Sequence, residues 1–147
     1  MDARASSTPL PAPAPQLTPA NTRDVFVVED DPIIARLVGH LLTRGGYKVH
    51  HAADGLRAQA MLTSSPCPAV VVMDVMLPYV SGFELISQIR KTPGWERVPV
   101  IVLTSKSQES DILRAFDSGV NDYVVKPFRP EELVARVRRL AEGWRAA

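Results

Sequence analysis

The sequence predicts an α/β fold, a doubly wound open parallel sheet of five strands. Three observations carry that prediction. Short apolar runs rich in valine recur five times, and each is followed by apolar residues at helical spacing. The first, third and fourth runs are almost wholly apolar, as parallel strands covered on both faces must be. Turn and cap residues separate the segments, so strands and helices alternate and the crossovers are right-handed.

The elements follow in order. Val25 to Val28 forms the first strand and ends in Glu29-Asp30-Asp31. Asp31 can cap the next helix and Pro32 can open it. Ile33, Ile34, Leu37, Val38, Leu41 and Leu42 then recur at helical spacing until Gly45-Gly46 stops the helix. Tyr47 to His51 reads as the second strand. Asp54-Gly55 leads into a helix with Leu56, Ala60 and Met61 on one face. Ala69 to Met73 is the third strand and ends at Asp74. After a loop containing Pro78 comes a helix with Phe83, Leu85, Ile86 and Ile89. Val98 to Leu103 is the fourth strand, ending at Thr104. A helix with Ile112, Leu113 and Phe116 stops at Gly119. Tyr123 to Val125 is the fifth strand, ending at Lys126-Pro127. Glu131 to Ala141 forms the last helix, with Leu133, Val134, Val137 and Leu140 inward.

Composition bounds the function. The 147 residues suit one domain, with 46% hydrophobic and 22% charged residues. A net charge of +1 argues against a protein built on phosphate-backbone binding, so no direct nucleic-acid binding is expected. Cys67 is the one cysteine, which excludes a disulfide scaffold and fits a cytoplasmic setting. No apolar run is long enough to span a bilayer, so no membrane insertion is expected. Pro9, Pro11, Pro13, Pro15 and Pro19 punctuate a start without hydrophobic period. Residues 1–23 are therefore expected to form a disordered Pro/Ala-rich tail, 24–142 the folded domain and 143–147 a short extension.

In sheets of this class ligands gather at the carboxyl ends of the strands. Those ends carry Glu29, Asp30 and Asp31, then Asp74, Thr104 and Lys126. Carboxylates brought together repel unless a cation intervenes. Oxygen ligands without a His or Cys partner favour a hard cation such as Mg2+. A lysine and a hydroxyl beside that cation can hold phosphoryl oxygens, which leaves Asp74 as the natural nucleophile for an aspartyl phosphate.

This arrangement closely resembles the receiver domain of bacterial response regulators over residues 24–142. The motifs are Val-Val-Glu29-Asp30-Asp31, Asp74-Val-Met-Leu-Pro78-Tyr-Val-Ser-Gly82, Leu103-Thr104-Ser105 and Asn121-Asp122-Tyr123-Val-Val-Lys126-Pro127-Phe128. The resemblance implies strand order 2-1-3-4-5, the flavodoxin-like receiver fold. It implies Asp74 as phosphoacceptor, Glu29 and Asp30 as the acidic pair at the metal, with Asp30 the direct ligand, and Met76 as the source of a metal-binding backbone carbonyl. Thr104 and Tyr123 take the switch positions, and Lys126 is the phosphate-binding lysine, followed by a bond that is usually cis. The implied phosphodonor is a histidine kinase or a histidine phosphotransfer protein. The implied output is a downstream protein target, met by the face of the fourth helix, fifth strand and last helix. The same face implies a weak homodimer in which Asp122 of one chain pairs with Arg136, on the exposed side of the last helix, of the other. The short C-terminus leads to the expectation of a stand-alone receiver, not a classical enzyme. Two rivals fit less well. A haloacid-dehalogenase-type phosphohydrolase needs Asp-x-Asp, whereas Val75 and Met76 follow Asp74; in a flavodoxin-like electron carrier, Glu29-Asp30-Asp31 would repel the phosphate. His40, His50 and His51 lack metal-ligand spacing and read as structural, and Cys67 as a loop residue.

Overall fold

The computed structural model describes residues 23–105, 110, 116–117 and 119–146. Five strands, β1 Asp24–Val28, β2 Lys48–Ala52, β3 Val70–Asp74, β4 Val100–Ser105 and β5 Asp122–Lys126, alternate with helices α1 Pro32–Arg44, α2 Gly55–Ser64, α3 Gly82–Lys91 and α4 Pro130–Ala146. All four strand pairings are parallel and the order is β2-β1-β3-β4-β5, the 2-1-3-4-5 expected. The expected Pro/Ala-rich tail lies outside the described residues, except for Arg23, as does most of the helix expected around Ile112 and Leu113. The last helix runs to Ala146, past its expected end at Ala141, since Gly143 weakens a helix without ending it.

Alternation along each strand splits the core into two layers. Phe26, Val28, Val71, Met73, Val100 and Val102 face α2 and α3, with Trp95 edge-on to Phe26 at 5.2 Å. Val25, Val27, Val70, Val72, Ile101 and Leu103 face α1 and α4, where Val38, Leu42, Leu133 and Val137 close the layer. Local signals fix the helix ends. The Asp31 carboxylate accepts from the Ile33 and Ile34 amides at 2.9 and 3.4 Å, and the chain leaves α1 through Gly46 at φ 96°.

Two helix faces differ from the sequence reading. Ile33 and Leu37 are exposed, and the buried stripe of α1 is Ala35, Val38 and Leu42. Leu56 is also exposed, and α2 turns Gly55 and Ala58 inward. The reason is close approach: a Cβ on Gly55 would sit 2.6 Å from Val80. Arg90, unremarked in the sequence, ties α3 to the start of β4 and β5 through the carbonyls of Val98 and Gly119, at 2.7 and 2.6 Å, and Asn121 Oδ1 at 3.0 Å. Burial holds its guanidinium below the ordinary value. Of the three histidines, His50 lies 3.2 Å from Asp24 and His51 bonds a backbone carbonyl.

Candidate functional site

The sheet delivers four of the expected groups to one point. Asp74 ends β3, a strand buried along its whole length, and its carboxylate is nearly enclosed. Its Oδ2 accepts from Lys126 Nζ at 2.6 Å and its Oδ1 from the Met76 amide at 2.8 Å. Lys126 ends β5, with β4 between the two strands, and its Nζ also reaches Glu29 Oε1 at 3.0 Å. Glu29 follows β1 and is 1% exposed; its Oε2 accepts from the Asp31 amide at 3.2 Å. Asp30 is exposed beside it. One carboxylate oxygen from each of Glu29, Asp30 and Asp74 falls within 4.8 Å of the others.

The loop after Asp74 is tightly held. Gly82 donates to the Val75 carbonyl at 3.0 Å, and a Cβ there would lie 2.8 Å from Val75 Cα and 3.0 Å from the Asp74 carbonyl. Val80 donates to the Pro78 carbonyl at 2.8 Å across Tyr79, whose φ is 71°. This is a γ-turn of the rare strained type with an exposed aromatic at its apex. The Lys126–Pro127 bond is cis, as the family resemblance implied.

Electrostatics follows from that enclosure. Burial pushes the Glu29 carboxyl up to about 7; the bonds from Lys126 and Asp31 oppose the rise, and the Asp74 charge adds to it. Burial pulls the Lys126 ammonium down, but the bonds and charges of Asp74 and Glu29 outweigh it and hold lysine above its ordinary value. Three carboxylates therefore face one ammonium. An oxygen-only donor set with excess negative charge fits Mg2+.

Thr104 is buried on β4, one residue past Leu103, the register partner of Asp74. Tyr123 is exposed on β5 and stands edge-on to Phe116 at 5.7 Å. The Met76 side chain is exposed, and its amide serves Asp74. Asp31 is a helix cap. Arg136 corrects an expectation: it is half-buried, and its guanidinium meets both oxygens of Asp122 in its own chain, at 2.9 and 2.8 Å, and also bonds Glu132. Arg139 reaches Asp122 at 3.0 Å. A nearly buried carboxylate draws the nearest guanidinium, and α4 packs close enough to supply it, so this pair is closed within the chain.

A model of the response regulator receiver domain matches residues 25–138. The chain belongs to this family. Among curated relatives of the receiver, the DNA-binding dual master transcriptional regulator RpaA of Synechocystis is 40% identical over 116 residues, covering 79% of this chain and 48% of RpaA. The phosphate regulon transcriptional regulatory protein PhoB of Rhizobium meliloti is 39% identical over 116 residues, covering 79% of this chain and 51% of PhoB. The chain thus spans about half the length of these relatives. Solved receivers share the fold. The chemotaxis response regulator CheY4 of Vibrio cholerae has a TM-score of 0.74 at 31% identity, covering 80% of this chain and 97% of that one. The receiver domain of the sensor histidine kinase PA1611 of Pseudomonas aeruginosa has a TM-score of 0.75 at 30% identity, covering 82% and 98%; it was solved with a magnesium ion coordinated in the active-site cleft. No helix among the described residues is long and apolar enough to cross a membrane.

Proposed function

We propose that this receiver takes a phosphoryl group onto Asp74 from a histidine kinase or histidine phosphotransfer protein, with Mg2+ bound, and signals to a downstream protein target through the face containing Tyr123. The observation that carries the reading is the buried Asp74 carboxylate, 2.6 Å from Lys126 and clustered with Glu29 and Asp30. Asp30, Asp74 and the Met76 carbonyl would hold the metal, with Glu29, whose oxygens already serve Lys126 and Asp31, acting through water. When bound, the metal would supply positive charge that offsets the negative charge of the phosphoryl oxygens. An Asp74 carboxylate oxygen attacks the phosphorus of the donor's phosphohistidine in line, the phosphorus–nitrogen bond breaks and the donor imidazole leaves, while Lys126 moves from carboxylate to phosphoryl oxygen as charge develops there. Thr104 then contacts the acyl phosphate, and Tyr123 changes its packing against Phe116.

The magnesium-bearing cleft of the PA1611 receiver supports the metal assignment. The weak homodimer has less support here, because it requires Arg136 to give up an Asp122 pair already made within the chain. The test is beryllofluoride with Mg2+, read by amide chemical shifts. The expected result is Mg2+-dependent shifts at Thr104 and Tyr123 in the parent that vanish in Lys126→Ala. Unchanged shifts in that variant would contradict the role given to Lys126.

A further inference from the structure

The acidic loop between β1 and α1 is fixed by an unusual bond on its outer side. Glu29 donates its amide to the Ala52 carbonyl at 3.1 Å, one step beyond the last β1–β2 register pair, Val28 with Ala52. The Glu29 carbonyl would need the next amide of β2, but that strand stops at Ala52 and the chain turns toward the Asp54 cap. His51 fills the gap, with its Nε2 lying 2.8 Å from the Glu29 oxygen. A carbonyl only accepts, so Nε2 must carry a proton.

The bonded carbonyl belongs to the peptide joining Glu29 to Asp30. A peptide is planar, so holding its oxygen toward β2 also sets the direction of the Asp30 amide and the start of the Asp30 backbone. The other end of the loop is held independently. Asp31 caps α1 through the Ile33 amide, and its own amide donates to Glu29 Oε2. Asp30 stands between these two anchors, exposed, with one carboxylate oxygen in the acidic cluster. Without the outer anchor the peptide can rotate and carry Asp30 off the cluster.

We infer that His51 is a positioning residue for the cation site: by fixing the Glu29–Asp30 peptide it presents the Asp30 carboxylate to the metal. This rests on the proposed Mg2+ site and deepens it. An outer partner that orients a ligand governs metal affinity even though it never touches the ion.

Three proteins decide the matter: the parent, His51→Ala and His51→Gln, whose amide nitrogen can donate to the same carbonyl. Mg2+ is titrated into each and followed by the amide shifts of Asp74 to Leu77, with thermal unfolding of the metal-free forms alongside. His51→Ala should weaken Mg2+ binding by about threefold to tenfold, and His51→Gln should recover most of the loss. In the parent, nitrogen spectra of the imidazole should show Nε2 protonated. Equal Mg2+ affinity in the parent and His51→Ala would overturn the inference, as would a neutral His51 with its proton on Nδ1. A lower melting temperature with unaltered Mg2+ affinity would assign His51 to the fold alone. Absence of saturable Mg2+ binding by the parent would instead overturn the site assignment, and this inference with it.

Discussion

Replacing Glu29 by glutamine in the metal-free protein keeps the side chain's shape and removes a buried charge. In the folded chain burial raises this carboxyl from 4.5 to about 7. Between those values the folded state retains a proton that the unfolded chain has released, so Glu29 lowers stability progressively as the pH rises through the window. Below pH 4.5 both states are protonated and the penalty is absent; above 7 it is complete. The full rise corresponds to a ceiling of about 3 kcal/mol. Glutamine escapes the penalty but makes a weaker bond to Lys126 than a carboxylate does. The stability of Glu29→Gln relative to the parent should therefore improve by about 1–3 kcal/mol between pH 4.5 and pH 8. Urea unfolding of both proteins at the two pH values, without divalent cations, measures the difference directly. A relative stability that stays constant with pH, or that falls for the variant at pH 8, would refute the argument that a buried, repelled carboxylate sits at this site.

Two backbone positions give further tests. Gly82→Ala places a Cβ against the backbone of Val75 and Asp74, which overpacks by about 1–3 kcal/mol and recovers about 1 kcal/mol of helix propensity; a net loss in urea unfolding and slower phosphorylation by acetyl phosphate should follow. Tyr79→Gly relieves a φ of 71° at an exposed side chain and should stabilise the domain by about 0.5–1 kcal/mol, whereas Tyr79→Ala should not. A glycine variant less stable than the alanine variant would show that the turn stores no strain.

The parts of the site that the sequence made legible share one physical origin. A parallel sheet places every strand's carboxyl end on one edge, so Glu29, Asp74, Thr104 and Lys126 could be assembled from strand positions alone. Helix faces were less legible. Apolar spacing marks Ile33 and Leu56, yet both are exposed: the Val80 loop approaches α2 so closely that Gly55 takes an inner position, and α1 turns Ala35, Val38 and Leu42 inward. Arg136 shows a second limit, because a charge on a helix does not reveal whether its partner lies in the same chain. His51 and Arg90 show a third. Their acceptors are mostly backbone carbonyls, which leave no mark in the pattern of residue types.

The central claim is that Asp74 is the phosphoacceptor and that its chemistry needs the acidic cluster and a divalent cation. Incubation with acetyl phosphate, with and without Mg2+, followed by intact mass measurement of the parent and Asp74→Asn, tests it most directly. The account expects one added phosphoryl group on the parent in the presence of Mg2+, little without the metal, and none on Asp74→Asn. A parent that gains no phosphoryl group with Mg2+ present, or an Asp74→Asn protein that gains one as readily as the parent, would contradict it.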